Sequence, residues 1–191
     1  MSRIPQVKYE EASPEIQKLW KETEQKYGSV SNMKAVLINS PEALNAALEW
    51  YALYNKIKPY LGERRIILFC NAISRENTCK LCSSYMNAAL QKKGENPEDL
   101  SLDEFDKTIV DFGTQLARDA NRIRESIFDS LKKHLNSAQI VELTIFGALM
   151  ILNNVFNNAL QVDLDESLAN YEVNPDIAFA NSARYKKGNE Q

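Results

Sequence analysis

The sequence predicts an all-α protein built as a single domain, and three observations carry that expectation. Apolar residues recur at helical spacing, as in Leu44, Ala47, Leu48, Tyr51 and Tyr54. Helix starts are marked by short polar caps followed by proline or a good helix former, at Ser13-Pro14-Glu15, Ser40-Pro41-Glu42 and Asn136-Ser137-Ala138-Gln139. No stretch alternates polar and apolar residues long enough for a strand, and six glycines and six prolines in 191 residues are too few for a loop-rich β fold. Apolar residues at 44% and charged residues at 26% give a globular composition able to fill a sizeable core. The domain is read over residues 1–191, with an N-terminal arm over 1–12 and a C-terminal extension over 165–191.

Taken in order, the arm is followed by a helix that starts at Pro14, carries Leu19 and Trp20, and stops at Gly28. A short apolar helix covers 33–38, and another begins at Pro41. Pro59 and Gly62 are expected to punctuate its junction with a central pair of helices over 66–90. Gly94-Glu95-Asn96-Pro97 breaks the chain. The next helix, 102–120, shows a Phe105, Ile109, Phe112, Leu116 stripe, which Ile123, Ile127 and Leu131 continue towards His134. Residues 140–160 are apolar almost all round, so this helix is expected at the centre of the fold or in a subunit interface. Glu142 and Asn153-Asn154 argue against reading it as a membrane span. Beyond residue 161 the chain turns polar, with one short helix expected near 176–183. The total is seven or eight helices.

Charge and composition exclude several classes of function. A net charge of −3 with no basic stripe leaves no footprint for nucleic acid. The first residues lack a secretory apolar core, and no window reaches the uninterrupted apolar length of a membrane helix. Three cysteines are few and odd in number, which points to a reducing, cytoplasmic setting.

The chemistry-bearing stretch lies between the two central helices, at Ser74-Arg75-Glu76-Asn77-Thr78-Cys79-Lys80-Leu81-Cys82. Asn77 or Thr78 is the expected N-cap of the second helix, which puts Cys79 and Cys82 in its first turn and on one face. Free N–H groups and the helix dipole stabilise a thiolate there, and Lys80 adds a positive charge. Such a dithiol can attack, oxidise to a disulfide and be reduced again. A zinc set of Cys70, Cys79, Cys82 and His134 has a known ligand combination but the spacing of no compact zinc module, so no metal is assigned. Cys70 reads as a small core residue, and His134 as a charge near a helix end.

The order of Leu61, Arg64-Arg65 and Leu68, then Ala72-Ile73-Ser74 with Cys79 and Cys82, then Gly94, then Ser137-Ala138-Gln139-Ile140-Val141-Glu142-Leu143 with Asn153-Asn154 and Asn157-Asn158-Ala159-Leu160-Gln161-Val162, resembles the carboxymuconolactone decarboxylase and alkyl hydroperoxidase D superfamily. The resemblance implies an all-helical fold assembled as trimers or hexamers. It also implies a thiol-dependent peroxidase or disulfide oxidoreductase, with hydroperoxide as substrate, a thiol or protein dithiol as reductant and no bound cofactor. The superfamily's decarboxylase branch, which acts on lactones without the cysteine pair, is the alternative enzyme class. A redox-responsive binding protein with little turnover is the alternative outside catalysis.

The helix start favours Cys79 as the thiolate, whereas the resemblance implies that Cys82 attacks and Cys79 resolves; for peroxide the latter assignment is taken. Where the hydroperoxidase branch carries a glutamate and two histidines as a proton relay, this chain has Ile67, Leu81 and Met86. Such acid–base assistance contributes ~10²–10⁴ in rate. Glu76, in the break before the cysteines, and Tyr85, after them, are the candidate replacements, with Glu63 and Glu142 further off. The solvated-surface reading competes for Glu63 and Glu76, core packing for Tyr85, and an ion pair with Arg64 or Arg65 for Glu142. The asparagines at 153, 154, 157 and 158 read as hydrogen-bonding groups between helices or subunits.

Overall fold

The computed structural model describes residues 2–173. Its helices are α1 (Pro14–Tyr27), α2 (Asn32–Leu37), α3 (Pro41–Leu61), α4 (Glu63–Glu76), α5 (Lys80–Lys92), α6 (Glu104–Arg118), α7 (Glu125–Lys132) and α8 (Ser137–Leu160). Three 3₁₀ turns accompany them, Tyr9–Glu11 before α1, Ala120–Arg122 between α6 and α7 and Glu166–Tyr171 after α8, and no strand occurs among the described residues. The all-α expectation holds.

Local sequence explains the helix starts. Ser13, Ser31 and Ser40 accept amides from Ile16, Lys34 and Ala43, and Pro14 and Pro41 stand at the beginning of their helices. Asp103 with Asp106, and Asn136 with Gln139, close reciprocal capping boxes. Two boundaries differ from the sequence expectation. Pro59 lies inside α3, where it removes one donor from the ladder near the helix end without stopping it, and Gly62 at φ +81° ends the helix alone. The apolar stripe of α6 does continue into α7 through buried Ile127 and Leu131, but the backbone does not. Asp119 is extended and its carboxylate accepts from Asn121 N–H, a local alternative that interrupts the helix. The helix expected near 176–183 lies outside the described residues.

The fold is organised on α4, which packs against α3, α5, α6 and α8. Its Phe69 is fully buried between Gly113 of α6 and Gly147 of α8. A Cβ at Gly113 would lie 2.9 Å from Phe69 Cδ2 and 3.0 Å from the Phe69 carbonyl oxygen. One at Gly147 would lie 2.5 Å from Leu116 Cδ2 and 2.9 Å from Phe69 Cζ. The two glycines let both helices close onto one ring, with Phe112 and Phe146 stacked beside it at centroid distances of 5.8 and 6.3 Å.

Polar contacts seal the same crossing. Buried Asp106 receives Arg64 Nη1 and, at 2.8 Å, Arg65 Nε, tying α4 to α6. The arm is tied down as well. Arg3 N–H donates to Leu160 O at 2.8 Å and Val7 N–H to Ala35 O at 3.0 Å.

Gly113→Ala and Gly147→Ala should each lower stability by ~1–3 kcal/mol through overpacking, although alanine is the better helix former by about 1 kcal/mol. Urea midpoints measure this. A stabilised Gly113→Ala would mean that α4 and α6 are not in close contact at Phe69.

Candidate active site

Two ordinary backbone devices meet at the α4–α5 junction with no residue between them. α4 closes as a Schellman turn, in which Thr78 N–H donates to Arg75 O at 3.0 Å and Cys79 N–H to Ser74 O at 2.8 Å. The left-handed position of that turn is usually glycine; here Thr78 holds it, at φ +50°. The very next residue, Cys79, is the N-cap of α5, and its sulfur accepts from the Cys82 amide at 3.5 Å. This corrects the sequence expectation. Asn77 and Thr78 are better caps by residue type, but Asn77 ends α4 and Thr78 is used for the reversal, so Cys79 caps the helix.

The two sulfurs therefore occupy unequal positions. Cys79 is fully buried and receives hydrogen bonds, whereas Cys82 sits one turn in and is 5% exposed. The Asn157 side chain reaches over from α8, with Nδ2 donating to Cys82 Sγ at 3.2 Å and to Met33 Sδ at 3.4 Å. The Cys82 thiol, the amides of Cys82 and Leu81 and the Asn157 amide hold the Cys79 thiol below the ordinary cysteine range, against burial, which pushes it up. Cys82 moves the other way, well above the ordinary range. It is the donor in the sulfur–sulfur bond, and burial adds to that. Of the two, Cys79 is the sulfur these contacts favour as thiolate, and neither is in a disulfide.

Asparagines of α8 line this junction. Besides Asn157, Asn154 Oδ1 accepts from Ser74 Oγ at 3.4 Å and Asn158 Nδ2 donates to Asn77 O at 2.8 Å. Asn157 Oδ1 and Asn154 Nδ2 lie one turn apart on the same face, both buried and without a protein partner. Sequence reasoning grouped these asparagines but gave none of them to the dithiol, because their partners lie far away in sequence.

The other candidates are committed elsewhere. Glu76 forms a two-pronged ion pair with Arg118, at 2.7 and 3.0 Å. The Tyr85 hydroxyl donates to Asp165 Oδ2 at 3.2 Å, and burial followed by that carboxylate pushes its ionisation up. Glu63 is paired with Lys93 at 2.9 Å and Lys58 at 3.9 Å. Glu142 does not pair with Arg64 or Arg65, which are taken by Asp106. It accepts from the Tyr60 hydroxyl at 3.1 Å and lies 4.0 Å from Lys56. The relay positions remain apolar, and Ile67 packs with Leu68, Leu90 and Val110 in a cluster separate from the one holding the dithiol.

Cys70 is a buried core residue whose thiol burial alone pushes up. His134 stacks on Phe105 at 4.2 Å. No three His, Cys, Asp or Glu side chains among the described residues are grouped to hold a metal ion.

This arrangement sits in a fold of the alkyl hydroperoxidase D-like class. The likeness covers nearly the whole of two solved structures. One, from Ralstonia eutropha JMP134, is described as an alkylhydroperoxidase AhpD core and an uncharacterized peroxidase-related protein. It superposes with a TM-score of 0.68 at 17% identity, covering 87% of this chain and 94% of the other. The second, an uncharacterized peroxidase-related protein from Silicibacter sp. TM1040, gives a TM-score of 0.63 at 23% identity, over 82% and 90% of the two chains. No protein-family model and no curated protein matches the sequence.

The geometry makes a prediction about ionisation. Alkylation by iodoacetamide, followed residue by residue by mass spectrometry, should modify Cys79 with a pH midpoint below the ~8.5 of an unperturbed thiol. The modified fraction rises with pH through that midpoint. Asn157→Ala should move the midpoint upward while leaving helicity unchanged. A first modification at Cys82, or an unmoved midpoint, would contradict the hydrogen-bond assignment.

Proposed function

We propose that this chain is a thiol-dependent oxidoreductase that reduces a hydroperoxide, or exchanges with a protein disulfide, through Cys79 and Cys82. The observation that carries this reading is the position of Cys79 as the cap of α5, its sulfur accepting from the Cys82 amide at 3.5 Å, which favours a thiolate there with the second thiol one turn away. The attacking residue in this proposal is Cys79, the reverse of the assignment that the resemblance implies. The Cys79 thiolate attacks the distal oxygen of the hydroperoxide, the O–O bond breaks, and the alkoxide leaves as alcohol with the proton from Cys82. Cys79 is now a sulfenic acid. The Cys82 thiolate attacks its sulfur, the S–O bond breaks, and hydroxide leaves to be protonated by solvent. The resulting disulfide takes two electrons from an external thiol or protein dithiol, which restores the pair. No bound organic cofactor or metal takes part. Glu76 and Tyr85 have no step here, since their partners are Arg118 and Asp165. The protein is read as soluble, in a reducing compartment and assembled as a trimer or hexamer. The three free cysteines and the apolar outer face of α8 support that reading.

A second reading is favoured by the burial of both sulfurs: a redox-responsive binding protein that oxidises reversibly and turns over little. Peroxide consumption with dithiothreitol separates the two. The enzyme reading expects turnover in the wild type and none in Cys79→Ser. Pre-reduced and freed of dithiothreitol, Cys82→Ser should consume a single equivalent of peroxide and leave a sulfenic acid on Cys79 that dimedone traps. If Cys79→Ser shows the single equivalent instead, Cys82 is the attacking residue. If the wild type does not turn over although its thiols oxidise reversibly, the binding-protein reading stands.

A further inference from the structure

The inner face of α8 is spent on the core and the dithiol, through Leu143, Phe146, Met150, Asn154 and Asn157. Its outer face is apolar as well. Val141, Ile145, Leu152 and Val155 are 62, 51, 41 and 59% exposed, and Ala138, Ala148 and Ala159 lie exposed in line with them. These seven positions follow one another in steps of 3, 4, 3, 4, 3 and 4 residues. That is the spacing of a coiled-coil seam, which packs against another helix and not against a flat surface. The seam runs for about 32 Å at 1.5 Å per residue. From Leu143 to Val162 the sequence contains no charged residue, the depletion expected at the centre of a protein contact and unsuited to a solvated face. The helix is long and apolar enough to cross a membrane, but its other face is already bound to its own domain.

The order of sizes along the seam identifies the occupant. In a parallel pairing each residue would meet its own copy, so the layers at Ala138, Ala148 and Ala159 would each set alanine on alanine and leave gaps along the seam. In an antiparallel pairing with the two-fold axis at position 150, Val141 meets Ala159 of the second copy, Ile145 meets Val155, and Ala148 meets Leu152. Ala148 and Ala159 then each face a larger side chain, and residue i meets j where j meets i, as a closed two-fold contact requires.

We propose that the outer seam of α8 is a homodimer contact, in which two copies of this chain pair their α8 helices antiparallel about position 150. This deepens the assembly part of the reading above and is independent of its redox chemistry. A hexamer with dihedral symmetry contains such two-folds, whereas a three-membered ring alone does not.

Sedimentation velocity of the wild type and mild oxidation of cysteine variants test this. In the antiparallel register, Ile145→Cys alone and Val155→Cys alone place their thiols about 15 Å from their own copies along the helix. Neither should cross-link, while the double variant should run as a covalent dimer under non-reducing conditions. Ile145→Glu, at an exposed position that folding does not need, should weaken self-association at least ~10-fold. A wild-type mass of one chain at tens of micromolar, by order of magnitude of ordinary association, would overturn the assembly reading itself. An oligomer in which the double variant fails to cross-link would overturn the seam alone, as would cross-linking by either single variant, which marks a parallel pairing.

Discussion

The close approach of α6 and α8 to Phe69 is the constraint on which the rest depends. A glycine on each helix removes the Cβ that would otherwise hold it away, so one ring from α4 is gripped from two sides. Because cores are packed as tightly as organic crystals, that grip fixes where α4 ends relative to α8. The dithiol and the asparagine that contacts it come from those two ends. Asn157 lies ten residues beyond Gly147 on α8, and Cys79 lies ten residues beyond Phe69 across the α4 turn. A shift of either helix by a fraction of an ångström would be felt at the 3.2 Å contact between Asn157 and the Cys82 sulfur.

Compression of the α4–α5 junction supplies the second constraint. Schellman turns normally hand the chain to a linker, and capping residues normally follow one. Here a single cysteine is both the residue that closes one helix and the residue that caps the next. Thr78 in the left-handed region is the conformational cost of that economy; strain of this kind is worth ~1–3 kcal/mol and persists only when surrounding contacts over-determine it. The Asn77 carbonyl bound by Asn158 and the Ser74 hydroxyl directed at Asn154 are such contacts.

What was legible in the sequence follows from how far each interaction reaches. Serine caps, prolines at helix starts and the Asn136–Gln139 box act over three or four residues, so the helix starts could be read directly. The Cys79 cap could not. Residue preference ranks asparagine and threonine above cysteine, and only the three-dimensional course of the α4 turn removes them from competition. Distance in sequence hid the site chemistry more thoroughly. Glu76 looked available until Arg118, 42 residues away, claimed it, and Asn157 looked like packing until it proved to lie 75 residues from the sulfur it contacts. The break before α7 was hidden for another reason. The apolar stripe survives it, so periodicity alone reports one helix where the backbone makes two.

The apolar residues at Ile67, Leu81 and Met86, where the hydroperoxidase branch that the sequence resembles carries a glutamate and two histidines, then have a physical reading on the proposed chemistry. A proton relay serves two purposes, making the thiolate and protonating the leaving alkoxide. Hydrogen bonds to a charged group are stronger than those to a neutral one, so the Cys82 amide and the neighbouring thiol favour a thiolate on Cys79 against its burial. That meets the first purpose without a base. The second is met by Cys82, which carries the pair's remaining proton and must lose it before it can attack the sulfenic acid. In such a site the acid of the first step becomes the nucleophile of the second, which couples peroxide cleavage to disulfide formation. The asparagine beside it needs no ionisable group, only an amide held in place. Burial that would inactivate an isolated cysteine is therefore compatible with a reactive pair.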